Sequence, residues 1–374
     1  MTSVLVIGAG LAGCAAAIAF AEGGASVSIV EKSPRDSLTG SGITLQGNAL
    51  RVLRRLGVLQ KVLDRGYPFD SLGIRAPDAD ATLLVEIADA RTGGADLPAG
   101  MGMERPVLAS ILRSAAEEAG ASIEFEVVPT ELSPHPAGVT VGFSDGSTRN
   151  FDLVIGADGV RSWTRRTVGV DLDPRPTGLG IWRVLGSRPG GITRTEICYG
   201  GPGYLAGYCP TGDTSSYAYI VEDAQDRSAQ TPQERLAVMT GLAGKYHGVW
   251  KEITAELTDP DAINYTWFET HVLDGPWHRG RIVLIGDAAH SCPPTVAQGG
   301  AQALEDAVVL ADMVLGSERI DDALLDAYAA RRLPRVRAVV EASVQISDWM
   351  RERDPAADIP GVMGRVAALV SETP

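Results

Sequence analysis

The chain has 374 residues, 45% hydrophobic and 21% charged, which are the values of a globular protein with a sizeable core and exclude a disordered chain, a collagen or a coiled coil. The length fits one large domain carrying a smaller one. With 33 Lys and Arg against 47 Asp and Glu the net charge is −14, which disfavours nucleic acid or an anionic membrane surface as a partner.

Ser3 to Ile7 reads as a buried strand, Gly8 to Gly13 as a turn, Ala15 to Ala21 as an Ala-rich helix ended by Gly23 and Gly24, and Ser26 to Val30 as the next strand. This is a βαβ unit. A Gly- and Ser-rich loop, Ser37 to Gly42, precedes a predicted amphipathic helix over Asn48 to Asp64. Residues 71 to 98 alternate apolar pieces with Gly, Pro and Asp, as strands of a second sheet would. Arg105 and Pro106 open another helix with Leu108, Leu112, Ala115 and Ala119 on one face. Strands are expected at Ser122 to Val128, Val139 to Phe143 and Phe151 to Ile155. From Gly178 to about Thr270 short aromatic-rich strands surround one helix near Pro232 to Ala243, the pattern of an antiparallel sheet. The last third returns to α/β character: a strand Arg281 to Ile285, a helix Ala301 to Leu315, and a long helix over Asp321 to Arg351 with an expected kink at Pro334.

Four cysteines without a CxxC pair, at positions 14, 198, 209 and 292, argue for neither a zinc site nor a disulfide framework. No apolar run reaches the roughly 18 residues of a membrane span. With no basic leader before the first strand, a reduced, cytoplasmic setting is expected.

Three constellations carry chemistry. The first is Gly8-Ala9-Gly10-Leu11-Ala12-Gly13 with Glu31 ending the second strand. The first two glycines permit a tight turn and close approach to a pyrophosphate, the third permits close helix–sheet packing, and the acid accepts hydrogen bonds from a ribose. This spacing predicts dinucleotide binding, to NAD or FAD. The second is Asp158-Gly159 after the strand that ends at Ile155, which by itself could be an ordinary Asp-Gly turn. The third is Gly286-Asp287-Ala288-Ala289-His290, running through Pro293, Pro294 and Gln298-Gly299-Gly300 into a helix that carries Glu305 and Asp306. An Asp ending a buried strand can hold a sugar-like chain, and the following helix N-terminus offers free N–H groups to a reduced, anionic flavin. The glycines from Gly201 to Gly207 are followed by Pro210 and no helix, so they make no second nucleotide turn.

In this order and spacing the three motifs resemble the group A FAD-dependent aromatic monooxygenases of the p-hydroxybenzoate and salicylate hydroxylase type, from Met1 to about Arg351. The resemblance implies an α/β fold: a Rossmann-like, GR2-type FAD-binding domain (1–70, 99–177 and 274–320), an inserted, mostly antiparallel β-sheet substrate domain (71–98 and 178–273) and a C-terminal helical segment (321–374). It implies FAD held by Gly8, Gly10, Leu11, Ala12, Gly13, Glu31, Lys32, Gly42, Ile43, Arg105, Asp158, Gly159, Asp287, Gly299, Gly300 and Ala301. Pro294, Gly299 and Gly300 fall where the family packs the reacting flavin edge. Trp182, Arg183, Tyr208, Tyr217, Tyr219 and Pro294 are expected to bind substrate; Tyr217 and Tyr219, two apart, share a side of their strand. By the same resemblance NADPH or NADH binds transiently and reduces FAD, O2 adds at flavin C4a, and the hydroperoxide hydroxylates a phenolic, heteroaromatic or polycyclic small molecule. A monomer or homodimer is expected. Two departures stand out: Ala297 where the family often has Gly before the Gln, and Ala301 where it often has Asn.

Other chemistries remain open on the same fold, namely epoxidation, Baeyer-Villiger oxygenation, reduction without oxygen insertion, and flavin binding without turnover. A flavin halogenase is disfavoured, because no two of the six Trp residues lie two apart. His247, His271 and His290 read as structural or surface histidines rather than bases.

Overall fold

The computed structural model describes residues 1–37 and 40–374. Four sheets build it. The first is six-stranded, in the order His278–Arg279, Ile282–Leu284, Leu153–Gly156, Ser3–Ile7, Ser26–Glu31, Ser122–Phe125. Its strands are parallel apart from the two-residue edge His278–Arg279. Parallel strands covered on both faces must be apolar throughout: Val4, Leu5, Val6, Leu153, Val154, Ile155, Val283 and Leu284 are fully buried. The helices Leu11–Glu22 and Gly299–Leu315 pack against this sheet and each other.

A second sheet has eight strands, in the order His290–Ser291, Asn264–Val272, Arg175–Ser187, Ser215–Asp223, Leu205–Pro210, Thr195–Tyr199, Ser71–Arg75, Leu83–Ala88. All its pairs are antiparallel except Thr195–Tyr199 with Ser71–Arg75. A small sheet of Gly42–Gln46, Gly100–Glu104 and Tyr67–Phe69 bridges the two large ones, and Gly102 sits directly against Cys209 and Pro210 of the eight-stranded sheet.

Several elements differ from the sequence expectation. The predicted helix 48–64 is two helices, Gly47–Arg55 and Leu59–Leu63, because the chain turns at Gly57 with φ of 68°. Pro129–His135 and Thr148–Phe151 form a hairpin sheet with Gly138–Phe143, although their exposed, charged alternation carries little apolar signal. The helix Trp250–Ala255 is also additional, while Ile359–Ser371 falls within the expected C-terminal helical segment. The long helix expected over Asp321 to Arg351 is present as Asp322–Glu352, with Pro334 inside it. Among the described residues no helix is long and apolar enough to cross a membrane.

Candidate active site

The glycine turn is built as a phosphate cradle. Gly8 has φ of 107°, and a Cβ there would stand 2.6 Å from the Ala157 carbonyl, so the first motif packs on the second. A Cβ on Gly13 would collide with the Gly8 carbonyl, whereas one on Gly10 would meet nothing within 4 Å. The open side of the turn is therefore at Gly10, where the helix Leu11–Glu22 begins with no side-chain cap and no acid in its first turn. Uncapped N–H groups and the positive end of the helix dipole suit a diphosphate.

Glu31 is buried, and its carboxylate accepts the N–H groups of Ala9 and Ser33, each at 2.9 Å. It thus holds the glycine turn from beneath. Arg113 closes the same turn by donating to the Ala9 carbonyl at 3.2 Å. Sequence reasoning missed Arg113, whose only signal was a cation one turn beyond Ala109 on the helix opened by Arg105. Lys32 is exposed.

Asp158 binds its own turn. Its carboxylate accepts Ser162 Oγ–H at 2.5 Å, the Thr164 N–H at 2.8 Å and Thr164 Oγ–H at 3.0 Å. Arg165, fully buried, then ties this turn to the third motif by donating to the Val160 carbonyl at 2.9 Å and the Ala288 carbonyl at 3.0 Å. Asp287, at the head of that motif, reaches solvent although protein surrounds it. Burial raises its carboxyl pKa, with Arg105 and His290 acting the other way.

Arg105 lies against Gly40 and Ser41. The Arg105 N–H donates to the Ser41 carbonyl at 2.9 Å, and the Arg105 side chain runs along Gly40. Leu11, Ile43 and Gly300, far apart in sequence, meet at one point: a Cβ on Gly300 would lie 3.2 Å from Ile43 Cδ1 and 3.7 Å from Leu11 Cδ1. The helix Gly299–Leu315 starts there with no side-chain cap, so the N–H groups of Gly299, Gly300 and Ala301 remain for an anionic ring edge. Just before it, exposed Pro294 starts a short 3₁₀ turn and Ala297 adopts φ of 52°, the left-handed conformation that favours glycine. The uncapped N-termini, the open approach at Gly10 and the carboxylate of Asp287 together fit FAD, with its diphosphate, ribityl chain and anion-forming ring.

Behind this cradle is a buried polar network. Asp306 accepts the Gly286 N–H at 2.9 Å, His290 Nε2 at 2.7 Å and Arg332 Nε at 2.7 Å. Glu305 accepts Asn48 Nδ2 at 2.9 Å and Arg335 Nε at 2.8 Å. Burial opposes the charge on Arg332, but the carboxylates of Asp306 and Glu305 outweigh it and raise its pKa. His290 is therefore a partner of Asp306 and not a free base. His271, between Arg165 Nη1 at 3.2 Å and Ser291 Oγ at 2.8 Å, is held neutral: burial, then Arg165 and His290, push its pKa down to about 3. Arg332 and Arg335 were not singled out from sequence, yet they stand on the buried stripe Leu325, Tyr328, Ala329, Val336, Val339 of their helix. An arginine on an apolar stripe was the available signal.

The eight-stranded sheet has two unlike faces. Trp182 and Tyr208, expected to bind substrate, lie on the face covered by the helices Pro232–Ala243 and Trp250–Ala255, among Met239, Tyr246 and Trp250. Trp182 Nε1 donates to Glu222 at 2.9 Å, and Tyr208 Oη to Glu196 at 2.5 Å. These two therefore stand on the sheet face opposite that of Arg183 and Tyr217, because strand side chains alternate. Arg183, Tyr217 and Tyr219 take the opposite face. Tyr217 stacks directly on Gly42, and its ring centroid is 5.1 Å from that of Tyr219, whose phenol lies over Gly207. The aromatic rings thus meet Gly42 and, through Ile43, the uncapped helix start at Gly300.

Comparison with known proteins agrees with this geometry. Residues 1–343 match the FAD binding domain family. The chain is 30% identical over 364 residues to aurachin C monooxygenase/isomerase of Stigmatella aurantiaca, covering 94% of this chain and 93% of that one. It is 29% identical to 6-hydroxynicotinate 3-monooxygenase of Bordetella bronchiseptica, covering 98% of each. Its fold matches that of Klebsiella pneumoniae HpxO complexed with FAD and uric acid, with a TM-score of 0.83 and 23% identity, over 100% of this chain and 93% of that one. The chain belongs to the FAD-binding-domain family of FAD-dependent monooxygenases and is an oxidoreductase.

Proposed function

We propose that this protein is an NAD(P)H-dependent hydroxylase of a phenolic or heteroaromatic small molecule. The observation that carries the reading is the convergence of Leu11, Ile43 and Gly300 at the start of an uncapped helix, with the Tyr217 ring on the adjoining Gly42. The helix start that would hold a flavin ring edge and the aromatic ring of Tyr217 thereby adjoin through Gly42 and Ile43. FAD would be held by the turn Gly8 to Gly13, by Glu31, Arg105, Asp158 and Asp287, and by the amides of Gly299 to Ala301. Bound there, it supplies the redox and oxygen-activating chemistry.

The remaining work belongs to side chains of the chain. Arg183, Tyr217 and Tyr219 orient the substrate ring, Pro294 closes the site beside Gly299, and the packed loop Gly40 to Ile43 limits water. The residues 1–70, 99–177 and 274–320 form the cofactor part, and residues 71–98 and 178–273 form the substrate part. NADPH or NADH acts as a transient reductant. Relatives named for monooxygenation of aurachin and of 6-hydroxynicotinate support a ring-shaped substrate.

The test is anaerobic stopped-flow reduction of the FAD-loaded protein by NADPH and NADH across a panel of phenols and heteroaromatics, followed by mixing with oxygen. The expected result is a ligand that accelerates reduction and an oxygenated product formed one-to-one with oxygen consumed. Reoxidation that yields only peroxide with every ligand would favour a reductase.

A further inference from the structure

Gln46 ends the strand Gly42–Gln46, and its half-buried side chain crosses to a segment 250 positions away. Its Nε2 donates to the Val296 carbonyl at 3.1 Å, and its Oε1 accepts from Gln298 Nε2. Between these two contacts stands Ala297, with its φ of 52°. A single amide therefore grips both neighbours of a left-handed alanine. Each neighbour is itself anchored. Val296 is fully buried against Val339, Ile346, Val362, Val366 and Val370. The Gln298 side chain is also fully buried; it donates to Asn48 Oδ1 at 3.0 Å and accepts from Asn48 Nδ2 at 3.0 Å and Gln302 Nε2 at 3.1 Å. With Gln46 as its second acceptor, every hydrogen-bonding position of that amide is used.

A Cβ in the left-handed region is strained, and such strain persists only where the surroundings over-determine it. Here the strained residue stands two positions before the helix Gly299–Leu315, whose first N–H groups have no side-chain cap. The conformation of Ala297 sets the direction in which those N–H groups point. The strand that carries Gln46 also carries Ile43, whose Cδ1 would stand 3.2 Å from a Cβ on Gly300. Gln46 thus ties together the two pieces of chain that meet at the cradle.

We propose that Gln46 is a positioning residue for the flavin ring: its amide holds Ala297 left-handed and so aims the N–H groups of Gly299, Gly300 and Ala301 at the ring edge. It acts through the backbone of residues 296–298, and the inference rests on the flavoenzyme reading above. Donors so aimed stabilise the anionic reduced ring over the oxidised one. Loss of the clasp therefore lowers the midpoint potential of the bound flavin.

The test is a double-mutant cycle on the FAD-loaded protein, with wild type, Gln46→Leu, Ala297→Gly and the two changes combined. Two quantities are read: the flavin midpoint potential, by titration against a reference dye, and the urea midpoint of unfolding. Gln46→Leu is expected to cost the reduced flavin roughly three- to tenfold in binding relative to the oxidised, about 15–30 mV for two electrons, and to lower the urea midpoint. Both losses should be at least halved when Ala297→Gly is present, because glycine rests in the left-handed region without a clasp. That rescue separates positioning from general loosening, which a glycine before the helix would deepen. A Gln46→Leu potential equal to wild type, or equal losses in both backgrounds, overturns the inference. If Gln46→Leu does not fold, Gln46→Asn, one methylene too short to span both contacts, takes its place and is held to the same outcomes. A protein that takes up no FAD fails the flavoenzyme reading instead, and its unfolding cycle still decides whether Gln46 holds Ala297.

Discussion

Arg332 and Arg183 occupy opposite kinds of surroundings. Arg332 is fully buried behind the flavin cradle, and its guanidinium is met by Asp306, Glu305 and Gln302. Arg183 stands half-buried on the open face of the eight-stranded sheet, with a phenol, a threonine and no carboxylate among the described residues. A satisfied interior network serves to fix geometry, here the loop Gly286 to His290 against two helices. A donor that meets no protein acceptor keeps its hydrogen-bonding capacity. The two regions show that the role of a cation follows from its neighbours and not from its residue type.

Breaking the satisfied region has the largest expected effect. Arg332→Met leaves Asp306 with His290 and Glu305 with Arg335 but takes the shared guanidinium from between them, and should cost roughly 3–5 kcal/mol of stability. The check is urea unfolding of the FAD-loaded protein, where the midpoint falls with little change in slope. An unchanged midpoint would mean that the network does not fix the cradle.

A second prediction sharpens the contrast through acid. His271 is neutral in the fold, with its pKa pushed down to about 3 from an ordinary 6.5. Between these values the unfolded chain binds a proton that the folded chain refuses. Stability is therefore full above about pH 6.5 and falls with acid toward pH 3, by at most about 1.4 kcal/mol per pH unit. His271→Gln should flatten that part of the stability–pH curve, measured by thermal unfolding from pH 7 to pH 4. A slope identical to wild type would place the acid sensitivity elsewhere.

The smallest effect lies where the two regions join. Ala297 bears a Cβ in the left-handed region, at φ of 52°, just before the cradle helix. Ala297→Gly should stabilise the protein by about 1 kcal/mol or less, the strain relieved being partly offset by glycine's freedom in the unfolded chain. A raised Tm is the expected outcome; a lowered one would show that the methyl group packs to more effect than the backbone is strained.

The cofactor half was legible because its signals are local. A βαβ unit with glycines at set intervals encodes a turn, a close approach and a helix start within a few residues, so Gly8, Gly10, Gly13 and Glu31 could be read before folding. Ala297 was already visible as a departure from the family pattern, and the structure supplies the conformation that makes it one. The residues expected to bind substrate divide between the two faces of the eight-stranded sheet. Tyr217 and Tyr219 share a face by strand alternation, but Trp182 and Tyr208 looked equally suitable and sit on the other face, because composition does not say which face of a sheet the helices cover.

By itself, then, the sequence determined the cofactor turns, the parallel core strands and the family to which the chain belongs. These depend on backbone conformation and apolar periodicity over short spans. Only the tertiary structure decided that Arg113 closes the glycine turn, that Arg165 joins two motifs, that Arg332 is satisfied and that Arg183 is not. Each of those statements concerns residues far apart in the chain, and whether a buried charge finds a partner is settled only when long-range packing brings the partner to it, or fails to.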